Sequence, residues 1–173
     1  MNLKQTLKNW LFPQPKLEVV QTCFESRFKL LPKGSPHSAG YDLMPVAEWL
    51  KVEGISQEVP FESLQIYPNQ TKKFTLGFKA YFPEYEPIVS FLLPRSGKGS
   101  DGFVIGNLVG VIDCDYQGNW ILQVWNRTDD TLTIKAFEPI AQVVFLPIID
   151  PNILCVDSFS VETSRGTKGG ILK

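Results

Sequence analysis

The chain has 173 residues, the length of one ordinary domain rather than two. Seventeen Lys and Arg against 18 Asp and Glu leave a formal charge of −1, which argues against a sequence-independent nucleic-acid binder, since such proteins meet phosphates with a basic excess. With 43% hydrophobic residues the chain can bury a core, while 13 Gly and 13 Pro cut it into short elements and argue against a helical bundle.

In chain order, residues 1–12 carry Lys4, Lys8 and one short apolar run, Trp10 to Phe12, before Pro13. That run is too short for a signal-peptide core or a membrane span. One or two amphipathic turns are expected there, in a cytoplasmic protein without membrane attachment. Short runs of high β-propensity follow at 17–22, 28–31, 74–82, 88–93, 103–105, 120–125, 132–134 and 141–146. Turn formers such as Pro32-Lys33-Gly34, Gln117-Gly118 and Thr128-Asp129-Asp130 bound them. This is the punctuation of an all-β sandwich or barrel. A further helical turn is expected over 46–50, before a loop over 53–63. The predicted organisation is an N-terminal extension over 1–16, a β-domain over 17–161 and a Gly-rich C-terminal arm over 162–173.

Residue inventory narrows the chemistry. Cys23, Cys114 and Cys155 are odd in number, widely spaced and in no Cys-x-x-Cys pair, so they read as free thiols in a reducing compartment. His37 is the only histidine, which excludes Ser-His-Asp and Cys-His nucleophilic catalysis and His-rich metal sites. Chemistry must run on carboxylates, hydroxyls, amides, Arg and Lys.

The informative stretch is 93–126. Pro94-Arg95-Ser96-Gly97 follows a predicted strand and can present a hydroxyl and successive backbone N–H groups to an anion. Asn107 follows, and an Asn side chain offers both donor and acceptor to a nucleobase edge. Residues 111–120 then read as a β-hairpin whose turn carries Asp113, Asp115 and Tyr116. A carboxylate beside a phosphate site can orient and deprotonate a water, and a ring on the same hairpin can lie against a sugar. An Asx-turn with a surface tyrosine reads the same residues equally simply.

Taken together, the motifs resemble those of the trimeric dUTP pyrophosphatase (dUTPase) family, five in order. Ala39-Gly40-Tyr41-Asp42-Leu43 is similar to the first and Pro94-Arg95-Ser96-Gly97 to the second. The run from Gly106 and Asn107 to Gln117 and Gly118 is similar to the third, Pro139-Ile140-Ala141-Gln142 to the fourth, and Arg165-Gly166-Thr167-Lys168-Gly169-Gly170 to the fifth. The resemblance implies a jelly-roll-like β-barrel with very little helix, assembled as a homotrimer with sites at subunit interfaces. It implies Mg2+-assisted hydrolysis of dUTP to dUMP and pyrophosphate by water attack on the α-phosphate, which lowers dUTP and supplies dUMP for thymidylate synthesis. By the same resemblance Asp113 activates the water, and Tyr116 packs under the deoxyribose and leaves no room for a 2′-OH. Asn107 with the Gly110, Val111 and Ile112 backbone reads uracil; Arg95, Ser96, Gly97 and Gln142 hold phosphate oxygens. Asp42 supports the Arg, and Arg165 clamps the outer phosphates. No residue ligates the metal directly, because the triphosphate carries it.

Three departures from the family pattern stand in the sequence. The stretch after the second motif, Lys98-Gly99-Ser100-Asp101-Gly102, is shorter and more polar. The fifth motif has one inserted residue. Ile171-Leu172-Lys173 ends the chain where an aromatic lid is expected. Two other functions are weighed. dCTP deaminases share the Ile-Asp turn but carry a catalytic Glu where this chain has Gln123. A catalytically weak trimer acting as a binding or regulatory partner is the second.

Overall fold

In a computed structural model, residues 15–83, 87–161 and 163 are described. Their strands are β1 (Glu18–Gln21), β2 (Tyr41–Leu43), β3 (Ala47–Val52), β4 (Ile55–Pro60), β5 (Ser63–Ile66), β6 (Thr71–Tyr81) and β7 (Ile88–Pro94). One five-residue helix, α1 (Ser96–Ser100), follows. Then come β8 (Phe103–Ile105), β9 (Gly110–Ile112), β10 (Asn119–Asn126), β11 (Leu132–Lys135) and β12 (Ala141–Pro147). The all-β expectation holds.

The strands form three ladders around one core. The first runs β4-β3-β6-β10-β8 with β1 added to β6, the second β2-β12-β7-β9, and the third pairs β11 with β5. No single closed hydrogen-bonded barrel runs through the described strands; the arrangement is jelly-roll-like. In β10 the alternation is strict, with Trp120, Leu122, Val124 and Asn126 buried and the residues between them partly exposed, as a strand with one core face requires. Trp120, Leu122 and Val124 meet Phe74, Leu76 and Phe78 of β6, Leu92 of β7 and Val143 of β12 in one cluster. Asn119 Oδ1 apart, the buried side-chain polar atoms among the described residues are partnered. The Trp120 indole N–H donates to the Ala80 carbonyl at 3.2 Å. The Asn126 amide donates to the carbonyls of Ile66 (2.9 Å) and Asp130 (2.7 Å) and accepts from Thr128, tying the first ladder to the third.

At the surface, Arg27 donates to both carboxylate oxygens of Glu62 at 2.8 Å. These bonds, helped by the opposite charge, hold the Glu62 carboxyl below the ordinary carboxylate range.

Four expectations need correction. Residues 46–50 are not a helical turn: Val46 precedes β3 and 47–50 begin it, and the expected loop over 53–63 contains β4 and the start of β5. Glu53 and Gly54 have φ of 50° and 85°, a tight two-residue turn that joins the strands as a hairpin. Every residue of β4 is exposed, so this edge strand has no apolar alternation for a sequence reading to detect. Residues 28–31 form no strand; Leu31 has φ 44° and breaks it. Finally, the segment 111–120 is not a two-stranded hairpin. β9 pairs with β7, whereas β10 pairs with β6 and β8, so 113–118 crosses from one sheet to another. The predicted turns over 1–12 lie outside the described residues.

Candidate active site

Three of the sequence motifs meet at one end of the second sheet. Asp42 on β2 is level with Gln142 on β12, and Pro94 at the end of β7 is level with Ala141. Arg95, one residue beyond, places its Nε 3.0 Å from Asp42 Oδ1, with the Asp42 side chain only 15% exposed. The Arg95 guanidinium also reaches the Pro139 carbonyl at 3.4 Å, and Gln142 donates to the Pro94 carbonyl at 3.1 Å. Gly40 makes this approach possible, because a Cβ there would stand 2.4 Å from Gln142 Oε1. The result is a hollow of about 180 Å³ lined by Gly34, Ser38, Gly40, Asp42, Arg95, Ser96 and Gln142. One guanidinium, two hydroxyls and an amide converge on it, a donor set suited to oxyanions.

A second cavity opens where β9 and β10 part company. It holds about 250 Å³ and is lined by Asn107, Gly110, Val111, Ile112, Leu92, Ile105, Ile121, Leu122, Gln123, Trp49 and Lys73. Because β9 is hydrogen-bonded on one side only, to β7, its other edge leaves backbone N–H and C=O groups open toward the gap. Gly110 allows β9 to approach β7 closely, since a Cβ there would be 2.9 Å from Leu92 Cβ. The cleft thus offers apolar walls, an exposed strand edge and amide side chains. These are the ingredients of a pocket for a flat heterocycle with alternating donors and acceptors.

Between the two sheets runs the loop carrying Asp113, Asp115 and Tyr116, all exposed. The Cys114 carbonyl accepts from Phe82 N–H at 2.8 Å, and the Tyr116 N–H donates to the Asp113 carbonyl at 3.2 Å. The Tyr116 hydroxyl donates to the Asn119 carbonyl at 3.1 Å. Gly118 is required beneath this ring, because a Cβ there would stand 2.3 Å from the phenolic oxygen.

This chemistry and architecture recur in known proteins. The dUTPase family model matches residues 26–170. The deoxyuridine 5'-triphosphate nucleotidohydrolase of Photorhabdus laumondii is 37% identical over 144 residues, 83% of this chain and 84% of that protein. The chain belongs to the dUTPase family. Among solved structures, a variant of the Staphylococcus bacteriophage 80alpha dUTPase with dUpNHpp superposes with a TM-score of 0.68 at 21% identity. It covers 89% of this chain and 95% of that one. A variant of the dUTPase from phage phi11 of S. aureus, in which a structural Mg(II) ion is coordinated, gives a TM-score of 0.65 at 20% identity, with 84% and 99% covered. At these identities the two structures establish the fold.

Within this dUTPase the predicted site residues fall into separate groups. Asp42, Arg95, Ser96 and Gln142 share the first hollow; Asn107, Gly110, Val111 and Ile112 share the second. Asp113 and Tyr116 sit on the crossing loop. Gly97 is exposed in α1 and does not line the first hollow. Arg165 and the rest of the fifth motif lie outside the described residues. Sequence reading missed Trp49, Lys73 and Gly34, and it did not place Ser38 or Gln123 in a site. Trp49 was hidden by reading β3 as helix. Gly34 reads as an ordinary turn residue, and nothing local marks Ser38 or Lys73.

The groups are also far apart within the chain. Ile112 pairs with Ser90, so Asp113 is level with Val89 at the start of β7, whereas Arg95 follows its other end. At about 3.3 Å per residue and 4.8 Å per strand, the Asp113 backbone is roughly 15–20 Å from those of Arg95, Gln142 and Asp42.

Proposed function

We propose that this dUTPase splits dUTP into dUMP and pyrophosphate at sites shared between the subunits of a homotrimer. The observation that carries this reading is the separation just described. A base must hold its water near 3 Å from the phosphorus it attacks, while the donors of the first hollow must grip oxygens of the same triphosphate. In one chain Arg95 follows the C-terminal end of β7, while Asp113, just past β9, is level with the N-terminal end of β7. Asp113 of one subunit facing the hollow of its neighbour brings them together without that span.

A second observation supports assembly. The segment 148–161 has no regular structure and exposes Ile149 (91%), Ile153 (86%), Leu154 and Phe159 (91%). So much apolar surface on one extended segment suits burial against another chain and supports the trimer reading.

In this reading uracil enters the cleft between β9 and β10, where the open β9 edge and the Asn107 amide meet its oxygens and N–H. The Tyr116 ring lies under the deoxyribose and excludes a 2′-OH. Asp113 takes a proton from water as the new O–P bond forms at the α-phosphorus. The bond to the bridging oxygen breaks, and pyrophosphate leaves with both bonding electrons. Arg95, Ser96 and Gln142 hold phosphate oxygens in a neighbouring subunit's hollow, and Asp42 fixes the Arg95 guanidinium by its ion pair.

The hollow's single carboxylate, Asp42, is already paired with Arg95. Among the described residues no three His, Cys, Asp or Glu side chains cluster. This donor set suits a Mg2+ carried on the triphosphate and its own waters, as that ion commonly is. When bound, the ion neutralises charge developing on the phosphate oxygens. Gln123 lines the cleft, and an amide has no basic site with which to run a deamination. No helix among the described residues is long and apolar enough to cross a membrane.

Pyrophosphate release from dUTP with Mg2+ tests the activity. Removing residues 163–173, and with them Arg165, should lower kcat at least about 10-fold while light scattering still returns a trimer. A truncated enzyme as active as the full chain would remove Arg165 from the mechanism.

A further inference from the structure

We infer that Glu58, on the edge strand β4, is a positioning residue that holds the Tyr116 loop through Asn119. The β3–β4 hairpin matches no motif of the family. Yet Glu58 Oε1 accepts from Asn119 Nδ2 at 2.8 Å, and its Oε2 accepts from the hydroxyl of Thr75 at 3.1 Å. Thr75 is buried in β6, so the carboxylate is moored to the core ladder. Asn119 in turn takes the Tyr116 hydroxyl on its backbone carbonyl at 3.1 Å. A continuous path runs from β6 through Glu58 and Asn119 to the phenol.

The chemistry of the path is directional. A carboxylate only accepts, so Asn119 must turn its NH2 toward Glu58, which leaves Asn119 Oδ1 buried with no protein partner. An orphaned buried acceptor costs stability and is tolerated here because the charged bond on the other end fixes the amide. Nothing else described holds the Asn119 side chain. On the opposite strand of the same hairpin, Trp49 is level with Glu58 and lines the base cleft. The hairpin therefore braces the cleft wall and the Tyr116 loop together.

The test is Glu58→Ala beside Glu58→Gln in the full chain. Gln preserves the path, with Oε1 toward Asn119 and Nε2 donating to the Thr75 oxygen; Ala removes it. Amide hydrogen exchange over 113–119 should accelerate about 10-fold in E58A, the size expected for losing a charge-assisted bond, and clearly less in E58Q, which keeps the bond in neutral form. That readout does not depend on activity. The consequence for substrate rests on the proposed role of Tyr116: the preference for dUTP over UTP should fall about 10-fold in E58A, with KM for dUTP raised more than kcat is lowered. Unchanged exchange in E58A, or equal damage in E58A and E58Q, would overturn the assignment. Accelerated exchange in E58A with unaltered sugar preference would leave the brace in place and remove Tyr116 from the sugar.

Discussion

Asp113→Asn is expected to lower kcat for dUTP by about 10² to 10⁴, the usual loss when a general base is removed, with nucleotide affinity and fold retained. The side chain is exposed on the loop between β9 and β10 and belongs to neither core nor ladder, so the change costs chemistry rather than packing. Asn keeps the shape and can still accept from the water, but it cannot take the proton. Asp115, two residues on in the same loop, is also exposed and serves as the control: Asp115→Asn should leave kcat within a few-fold of wild type. Steady-state pyrophosphate release and titration with a non-hydrolysable imido analogue measure both. A silent Asp113→Asn beside an inactive Asp115→Asn would move the base by one full turn of the loop's alternation.

Base selection should give the other large effect. dCTP is expected to be turned over about 10⁴-fold more slowly than dUTP by kcat/KM, because a cleft built from fixed donors and acceptors leaves them unpaired when the ring presents the opposite pattern. The open edge of β9 and the amide of Asn107 provide that fixed set, and the backbone half of it cannot rearrange to suit cytosine. dTTP is likewise expected to be turned over far more slowly than dUTP, which a side-by-side measurement checks. Comparable kcat/KM values for dUTP and dCTP, measured side by side, would contradict the assignment of the cleft.

How legible these features are in the sequence depends on their physical scale. The core strands β6, β7, β10 and β12 announce themselves because they bury a face, and burial imposes alternation or a continuous apolar run. β4 does neither, since all six of its residues face solvent, and its tight Glu53-Gly54 turn is the one local signal of the hairpin. The short β2 and β5 mix polar and apolar residues over three or four positions and leave no run to read, whereas β8 and β11, of the same length, are legible from their β-branched and aromatic residues. The site residues themselves were readable as motifs, because Gly40, Asp42, Arg95 and Gln142 must sit at fixed points to meet at one hollow. What motifs do not carry is which groups share a hollow. The run 111–120 reads as one hairpin, yet the chain spends it on the end of an open strand edge and a crossing between sheets. Trp49, Lys73 and Glu58 reach the site only through ladder register, which is a property of the fold.

The most direct test of a site shared between subunits is complementation. Asp113→Asn and Arg95→Ala chains, each nearly inactive alone, are co-expressed with different tags and the mixed assemblies are purified. If Asp113 of one chain serves the Arg95 hollow of its neighbour, each purified mixed trimer holds one complete site of its three, so about a third of the wild-type activity should return. If each chain supplied both groups to its own site, every site would still lack one of them, and mixed assemblies as inactive as either parent would contradict the account.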